Sequence, residues 1–235
     1  MPAESLRRVG LEGPANFRDL GGYRAGGRRL RTGRVFRSDS LSRLTESDVR
    51  HIVDELGVAT VVDLRAGHEI ETYGHGPLGS AGVRVHHLPI VDETRREHVE
   101  RPPDAPDPST MPLDEIYLLM LDRYADRFVG VLRTLADEAK HPIVFHCAAG
   151  KDRTGLVAAL LLALLGVDDE TIAADYALTA DAFLTAEDVV MRRLLSQMRA
   201  RYGSAEAYLE AHGLEPEAIA ALRASLLEDE SPSRE

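Results

Sequence analysis

The sequence predicts an α/β fold in which helices flank a central, largely parallel sheet. Short runs rich in β-branched residues, such as 58–64 and 143–145, alternate along the chain with helical segments. The 235 residues are 44% hydrophobic and 29% charged, which is ordinary for a globular chain. A chain of this length fits one good-sized domain. We therefore expect residues 1–228 to form a single domain and residues 229–235 to form a disordered tail.

The first half begins irregularly and then becomes regular. Residues 16–23 look like a turn, and short strands are expected at 28–31 and 34–36. Thr45 and Asp48 have the spacing of a helix N-cap and its partner, and Gly57 is placed to end that helix. The next strands are expected at 58–64 and 83–90. Prolines and charges between residues 92 and 112 favour a mobile loop.

The second half is predicted to be helical around one short strand. A helical stretch at 113–139, broken near Asp122, precedes the strand at 143–145. The apolar run at 156–165 is too short to span a bilayer, for which about 20 residues are needed, and predicts a buried helix. Further helices are expected at 168–178, at 185–201 with Thr185 and Asp188 as cap partners, and at 216–227.

Composition excludes several classes of function. The chain has one cysteine, so it has no intramolecular disulfide and no zinc site built on two or more cysteines. Its net charge of −11 argues against general binding of nucleic acid. We expect no metal, no cofactor and no stable insertion into a membrane. The N-terminal segment lacks an apolar core, which favours a cytoplasmic location.

The chemistry-bearing residues lie between Cys147 and Gly155, where a strand, a tight loop and a helix follow one another. The first turn of that helix has unpaired N–H groups and the positive end of the helix dipole. Gly150 lets the backbone close around a bound group, and Arg153 supplies a planar fork that matches two phosphate oxygens. Near such cations Cys147 is expected to be a thiolate that attacks a phosphoryl group in line and forms a phosphocysteine.

Three motifs extend this interpretation to a family resemblance. The run from His146 to Gly155 resembles the signature loop of cysteine-dependent protein tyrosine phosphatases, and it is most similar to their bacterial branch. That branch also carries an Asn-Phe-Arg-Asp-Leu-Gly-Gly motif, present here at 16–22. An Asp-Leu-Arg follows an early strand, present here at 63–65, with Glu69 four residues on.

The resemblance implies a phosphatase fold in which Cys147 is the nucleophile and Arg153 binds phosphate. The substrate would be a phosphotyrosine protein, with dual specificity towards phosphoserine or phosphothreonine, and inorganic phosphate would be a product. A phosphoinositide phosphatase using the same site is the alternative. A rhodanese-like sulfurtransferase, in which a loop cysteine also precedes a helix, is a more remote alternative, because the Arg-Thr-Gly ending of the loop argues against it.

Several aspartates are candidates for the general acid. Many tyrosine phosphatases take it from a mobile Trp-Pro-Asp loop, but this chain has no tryptophan. Asp152 is favoured because it lies inside the loop beside Arg153 and matches the similar bacterial loop. The other candidates are Asp63, Asp92, Asp104 and Asp107.

The remaining candidate residues surround these groups. The expected phosphate-binding residues are Ala148, Ala149, Gly150, Lys151 and Thr154. Lys151 would be a second cation for substrates with further phosphates, and the Thr154 hydroxyl would stabilise the departing thiolate. The expected supporting or substrate-binding residues are Asp63, Arg65 and His146. Arg65 either binds phosphate or braces the loop, whereas His146 would orient the loop and not act as a base.

Two further expectations concern helices. Tyr117, Tyr124 and Phe128 share one helical face and are predicted to belong to the core. The helices within 168–214 resemble, in position and length, the helical lid of the bacterial branch. Such a lid would shield Cys147 from oxidants and gate access to it.

Overall fold

The computed structural model describes residues 8–91, 110–182 and 186–229. In chain order the strands are β1 (Arg18–Asp19), β2 (Arg24–Ala25), β3 (Arg28–Leu30), β4 (Val35–Ser38), β5 (Thr60–Asp63), β6 (Arg84–His87), β7 (Ile143–His146) and β8 (Leu227–Asp229). The α-helices are α1 (Glu46–Arg50), α2 (Gly67–Tyr73), α3 (Leu113–Arg123), α4 (Ala125–Ala136), α5 (Asp152–Leu165), α6 (Asp169–Ala177), α7 (Asp188–Tyr202), α8 (Ala205–Ala211) and α9 (Pro216–Leu226).

The main sheet has the strand order β1-β4-β7-β5-β6. Strands β4, β7, β5 and β6 run parallel, and β1 adds an antiparallel edge, so the predicted α/β fold with a largely parallel sheet is confirmed. Ser38, His146 and Asp63 lie side by side at the last residues of β4, β7 and β5. The carboxyl ends of three neighbouring strands therefore meet at one edge, where open α/β sheets form their binding crevices.

Strands β4, β5 and β7 are buried throughout, and their alternate residues point to opposite faces of the sheet. Val62 and Phe145 belong to the larger apolar cluster, which includes residues of the C-terminal helices. Val61 and Val144 belong to a second cluster on the other side. Helix α5 contains the apolar run predicted at 156–165, and it is buried almost throughout, as expected. Among the described residues no helix has the length and apolar character needed to cross a membrane.

A second, small sheet of order β2-β3-β8 was not predicted. Its last strand corrects the start of the expected disordered tail, because Asp229 pairs with Arg28 and Glu228 pairs with Arg29. These two charged residues were expected at the start of an irregular tail, but backbone pairing with β3 holds them in a strand. Residues 230–235 lie outside the described part of the chain.

Several element boundaries also differ from the sequence prediction. Tyr124, with a non-helical φ of −118°, separates α3 from α4, close to the break expected near Asp122. Glu187 precedes α7, and the predicted cap residue Thr185 lies outside the described residues. Helix α8 was missed, although Ser204 caps it by accepting a hydrogen bond from the Ala207 amide. Most of the predicted loop at 92–112 also lies outside the described residues.

The helices proposed as a lid have a buried apolar face. Met191, Leu194, Leu195 and Met198 of α7 are buried in the larger cluster, where α7 packs against α3 and α6. Motion of these helices over the site stays a prediction.

Candidate active site

The loop from Cys147 to Lys151 joins β7 to α5, as the sequence predicts. Cys147 is buried at the end of the central strand, with 2% of its surface exposed. Ala148 is exposed, Ala149 and Lys151 are half-buried, and Asp152 is the first residue of α5. The unpaired amides of the first helical turn therefore lie close in sequence to the sulfur.

The scaffold binds the carbonyl oxygens of this loop from outside. The Ser40 amide donates to the Ala148 carbonyl oxygen at 3.0 Å. The Gly150 carbonyl oxygen accepts from Asn16 Nδ2 at 3.2 Å and from Arg37 Nη2 at 2.8 Å. With its carbonyls engaged by the scaffold, the loop keeps its amide groups available for a bound oxyanion.

Gly150 is required by both its backbone conformation and its surroundings. Its φ is +66°, in the left-handed region that other residues rarely adopt. A Cβ atom there would lie 2.7 Å from the Asp39 amide nitrogen, 2.7 Å from the Ser38 carbonyl oxygen and 2.8 Å from Asn16 Nδ2. The loop therefore lies directly against the end of β4.

Arg153 is oriented by Glu69 of α2. Its Nη2 donates to Glu69 Oε1 at 2.8 Å, and its Nη1 donates to Glu69 Oε2, so the contact is bidentate. The Ala66 amide also donates to Glu69 Oε2 at 2.8 Å. Burial raises the pKa of Glu69, but the hydrogen bonds from Arg153 and Ala66 outweigh it and lower the pKa below its ordinary value. A charged carboxylate therefore holds the guanidinium in place.

A buried ionic cluster lies behind the loop. Asp175 of α6 binds Arg18 Nε at 3.1 Å and Arg37 Nη1 at 2.5 Å, and Tyr23 donates to the same carboxylate at 3.0 Å. Burial and the charge of Arg18 lower the pKa of Arg37 to about 10, which still leaves it cationic at neutral pH. Two arginines share one carboxylate, so net positive charge lies next to the Gly150 carbonyl.

Arg18 and Asp19, two charged residues of the motif at 16–22, have different partners. Arg18 supports the loop region from behind through Asp175 and Asn16. Asp19 instead accepts from the amides of Gly21 and Gly33 in the adjacent turn.

Asp63, Arg65 and His146 form a second buried group. Arg65 Nη2 donates to Asp63 Oδ2 at 2.6 Å, and 1% of the Arg65 side chain is exposed, which favours a bracing role over phosphate binding. Burial raises the pKa of Asp63, but hydrogen bonds from Arg65 outweigh it and lower the pKa to about 2. Asp63 is therefore held as a carboxylate, which is the wrong state for a general acid.

His146 contacts the backbone of the loop. Burial lowers its pKa, so the ring is neutral at pH 7. Its Nδ1 lies 3.1 Å from the Cys147 carbonyl oxygen, and we assign the ring proton to Nδ1 because that oxygen can only accept. This geometry suits the orienting role expected for His146.

Asp152 has a partner that the sequence prediction placed in the core alone. Tyr117 is fully buried, and its neighbours Tyr124 and Phe128 on the predicted face are also buried, but the Tyr117 hydroxyl donates to Asp152 Oδ1. Tyr176 Oη lies 2.8 Å from Tyr117 Oη. Assignment of Tyr117 to the core was therefore incomplete, because helical spacing gives no information about where a hydroxyl points.

The other expected site residues have more open surroundings. The Thr154 hydroxyl is buried and has no hydrogen-bond partner within the described ranges. Lys151 immediately precedes α5. The acid candidates Asp92, Asp104 and Asp107 lie outside the described residues.

His86 and His87 lie on the edge strand β6. His87 Nε2 contacts the Arg65 carbonyl oxygen at 2.8 Å. In residues 8–91, 110–182 and 186–229 no three His, Cys, Asp or Glu side chains are grouped as metal ligands.

Sequence reasoning missed four contributors to the site. Asn16 and Glu69 belong to motifs that were recognised, but no role was predicted for either side chain. Arg37 follows two apolar residues near the carboxyl end of a strand. That position could have indicated a residue close to the site. Asp175 lies far along the chain in a helix, and no sequence pattern links it to Cys147.

Comparison with known proteins agrees with this geometry. A family model described as "Tyrosine phosphatase family" matches residues 9–228. A protein of Cupriavidus necator named as a tyrosine-protein phosphatase is 38% identical over 69% of this chain and 59% of its own length. The triple specificity protein phosphatase PtpB of Mycobacterium tuberculosis is 33% identical over 73% of this chain and 69% of its own length.

One solved structure shows a weaker likeness. The catalytic core of a PP-IP phosphatase from S. cerevisiae is 15% identical, with a TM-score of 0.46, over 83% of this chain and 96% of that one.

Proposed function

This chain belongs to the tyrosine phosphatase family, and we propose that it hydrolyses phosphotyrosine through a phosphocysteine formed at Cys147. The observation that carries the proposal is the pairing of one buried cysteine with an arginine already held by a carboxylate. Cys147 lies at the base of the loop, and Glu69 binds Arg153 through both of its oxygens. A preoriented guanidinium costs little reorganisation when it binds the equatorial phosphoryl oxygens.

The first step transfers the phosphoryl group to sulfur. The Cys147 thiolate attacks phosphorus, the S–P bond forms and the P–O bond to the tyrosine oxygen breaks. Asp152, in its protonated form, gives its proton to that oxygen and becomes a carboxylate. Arg153 and the loop amides bind the equatorial oxygens, where charge resides in the transition state.

The second step releases inorganic phosphate. Asp152 takes a proton from a water molecule, and the water oxygen attacks phosphorus while the S–P bond breaks. The thiolate departs next to the Thr154 hydroxyl, which has no other partner in the described part of the chain and can donate to the sulfur. Asp152 is then protonated again and the cycle closes.

Several features support Asp152 as the acid over the other carboxylates. It begins α5 directly beside Arg153, and its side chain is half-buried. Asp63 is locked to Arg65 and has its pKa lowered to about 2. A leaving tyrosine has a pKa near 10, so its protonation is worth roughly 10²–10⁴-fold in rate.

A substrate with additional phosphates is the second candidate. Lys151 lies in the loop beside Asp152 and Arg153, where a second cation would attract a further phosphate of a phosphoinositide. The relative PtpB is named a triple specificity protein phosphatase, which supports a broad substrate range for this chain. Dual specificity towards phosphoserine and phosphothreonine follows the same reasoning.

A substrate panel tests the two candidates. Wild type and Lys151→Ala would be compared on a phosphotyrosine peptide, a phosphoserine peptide and phosphoinositides, with Lys140→Ala as a control for loss of one lysine charge. A loss confined to phosphoinositides would support the second-cation role. An equal loss on all substrates would assign Lys151 to general phosphate binding.

Two assays test the broader assignment. Turnover of p-nitrophenyl phosphate that survives Cys147→Ser would contradict the proposed nucleophile. Thiosulfate turnover in place of phosphatase activity would favour the sulfurtransferase alternative. The cytoplasmic location stays a prediction that cell fractionation would test.

A further inference from the structure

A chain of two buried tyrosines leads from α6 to the Asp152 carboxylate. Tyr117 of α3 and Tyr176 of α6 have 0% and 1% of their surface exposed. Their hydroxyl oxygens lie 2.8 Å apart, and their rings meet edge to face with centroids 6.2 Å apart. The Tyr117 hydroxyl also donates to Asp152 Oδ1. Apolar packing alone would not bring three oxygens of three distant segments into contact.

The direction of the hydrogen bonds follows from counting protons. A phenol has one proton to donate, and that of Tyr117 is directed to Asp152. The contact between the two phenols must therefore use the proton of Tyr176, with the Tyr117 oxygen as acceptor. The order is Tyr176 to Tyr117 to Asp152.

Both phenols remain protonated over the working range of the enzyme. Burial raises the pKa of Tyr117 well above its ordinary value, and the charge of Asp152 raises it further. Burial likewise raises the pKa of Tyr176 to about 12. Tyr117 therefore donates to Asp152 at every pH at which a phosphatase of this type would operate.

This arrangement determines which carboxyl oxygen can carry the transferable proton. Oδ1 of Asp152 already accepts the Tyr117 hydrogen bond, so the acidic proton is confined to Oδ2. When Asp152 gives up that proton to the leaving oxygen, the negative charge that forms on the carboxylate is stabilised by a donor already in place. The water attack of the second step uses the same fixed carboxylate.

From this geometry we propose that Tyr117 is a positioning residue for the general acid Asp152, with Tyr176 holding Tyr117 in its donating orientation. The inference rests on the proposed function, since it requires Asp152 to be the acid. It predicts a defect in protonation of the leaving group while binding of phosphate stays normal.

The test uses a series of aryl phosphates whose leaving groups range from nitrophenol to unsubstituted phenol. For Tyr117→Phe we expect kcat/KM, which reports the step that releases the aryl group, to fall about tenfold on phenyl phosphate, with little change on the nitrophenyl ester and unchanged inhibition by inorganic phosphate. Tyr176→Phe should show the same trend with a smaller loss, because it removes only the second hydrogen bond. Addition of Tyr117→Phe to Asp152→Asn should cause no further loss.

Tyr208→Phe is the matched control. Tyr208 is also fully buried, but its hydroxyl donates to the Leu121 carbonyl oxygen at 2.7 Å in another part of the fold. This variant should keep the wild-type dependence on the leaving group. Thermal unfolding of each variant shows whether it is folded under the assay conditions. If Tyr117→Phe is unfolded, the leaving-group dependence of Tyr176→Phe tests the proposal instead.

Two outcomes would overturn the proposal and are distinguishable. If kcat/KM of Asp152→Asn depends strongly on the leaving group but Tyr117→Phe lowers kcat/KM equally for all esters, Tyr117 is merely structural and the proposed function stands. If Asp152→Asn itself shows no dependence on the leaving group, Asp152 is not the acid, and both the acid assignment and the role of Tyr117 fail.

Discussion

Replacement of Gly150 by alanine tests whether the loop must approach the scaffold as closely as it does. The substitution adds one methyl group at a φ of +66°, and left-handed backbone costs a non-glycine residue roughly 1–2 kcal/mol. The new Cβ would also lie 2.7 Å from two backbone atoms at the end of β4, Ser38 O and Asp39 N. Relief to an ordinary 3.4 Å contact requires a shift of about 0.7 Å.

That shift must come from the loop, because β4 is held between β1 and β7 in the sheet. Overpacking of this kind costs about 1–3 kcal/mol, so Gly150→Ala should lower the free energy of unfolding by about 2–5 kcal/mol in total. A displacement approaching 1 Å in a catalytic loop can cost about 100-fold in rate. We therefore expect kcat/KM for a phosphotyrosine peptide to fall about 100-fold, as measured on protein verified as folded by circular dichroism.

Gly57 provides a matched control. Its φ is +65°, but a Cβ added there would have no atom within 4 Å, and Gly57 precedes the end of β5 opposite to the site. Gly57→Ala should lose roughly 1–2 kcal/mol of stability in urea unfolding and keep its kcat/KM. If Gly150→Ala behaved like Gly57→Ala in both measurements, close packing of the loop would not be needed for activity and the reasoning would be refuted.

Three further predictions concern the residues around the loop. Glu69→Gln removes the charge of the ion pair that orients Arg153, so kcat/KM should fall about tenfold and inhibition by vanadate should weaken. Unchanged vanadate affinity would contradict the orienting role of Glu69. Arg65→Met leaves Asp63 buried without its cation and should cost about 3–5 kcal/mol in urea unfolding; loss of activity at full stability would instead indicate phosphate binding. Because the pKa of Asp63 is lowered to about 2 from 3.8, its contribution to stability is complete above about pH 4 and is lost as pH falls through 2. In Asp63→Asn the free energy of unfolding should vary by about 2 kcal/mol less between pH 4 and pH 2 than in wild type. An unaltered pH dependence in this range would show that Asp63 is not the group responsible.

The central part of the fold could be predicted because local patterns determine it. The β-branched run ending at Asp63 and the apolar helix after Arg153 are buried on all sides. Their apolar composition alone therefore predicts that they are buried elements. The loop between Cys147 and Arg153 was predicted from residue types whose physical roles are narrow. The small sheet with β8 was missed because backbone pairing of Asp229 with Arg28 depends on an edge strand 200 residues away in sequence.

The supporting residues of the site could not be predicted for a related reason. Asp175 contributes through Arg37 and Arg18, and these contacts depend on how α6 packs beside the sheet. Tyr117 shows the limit of periodicity, since its spacing correctly indicated burial but not the hydrogen bond to Asp152. Motifs locate reacting atoms, whereas tertiary packing selects the residues that hold them.

The central claim is that catalysis passes through a phosphoryl group bound to Cys147, and trapping that species tests it directly. The protein would be mixed with a phosphotyrosine peptide, quenched in acid within milliseconds, digested and examined by mass spectrometry, with Cys147→Ser in parallel. We predict one phosphoryl group on the peptide that contains Cys147, formed and lost at rates compatible with turnover, and no such adduct at that position in the variant. Phosphate attached to any other residue of a competent intermediate, or undiminished turnover by Cys147→Ser, would contradict the claim.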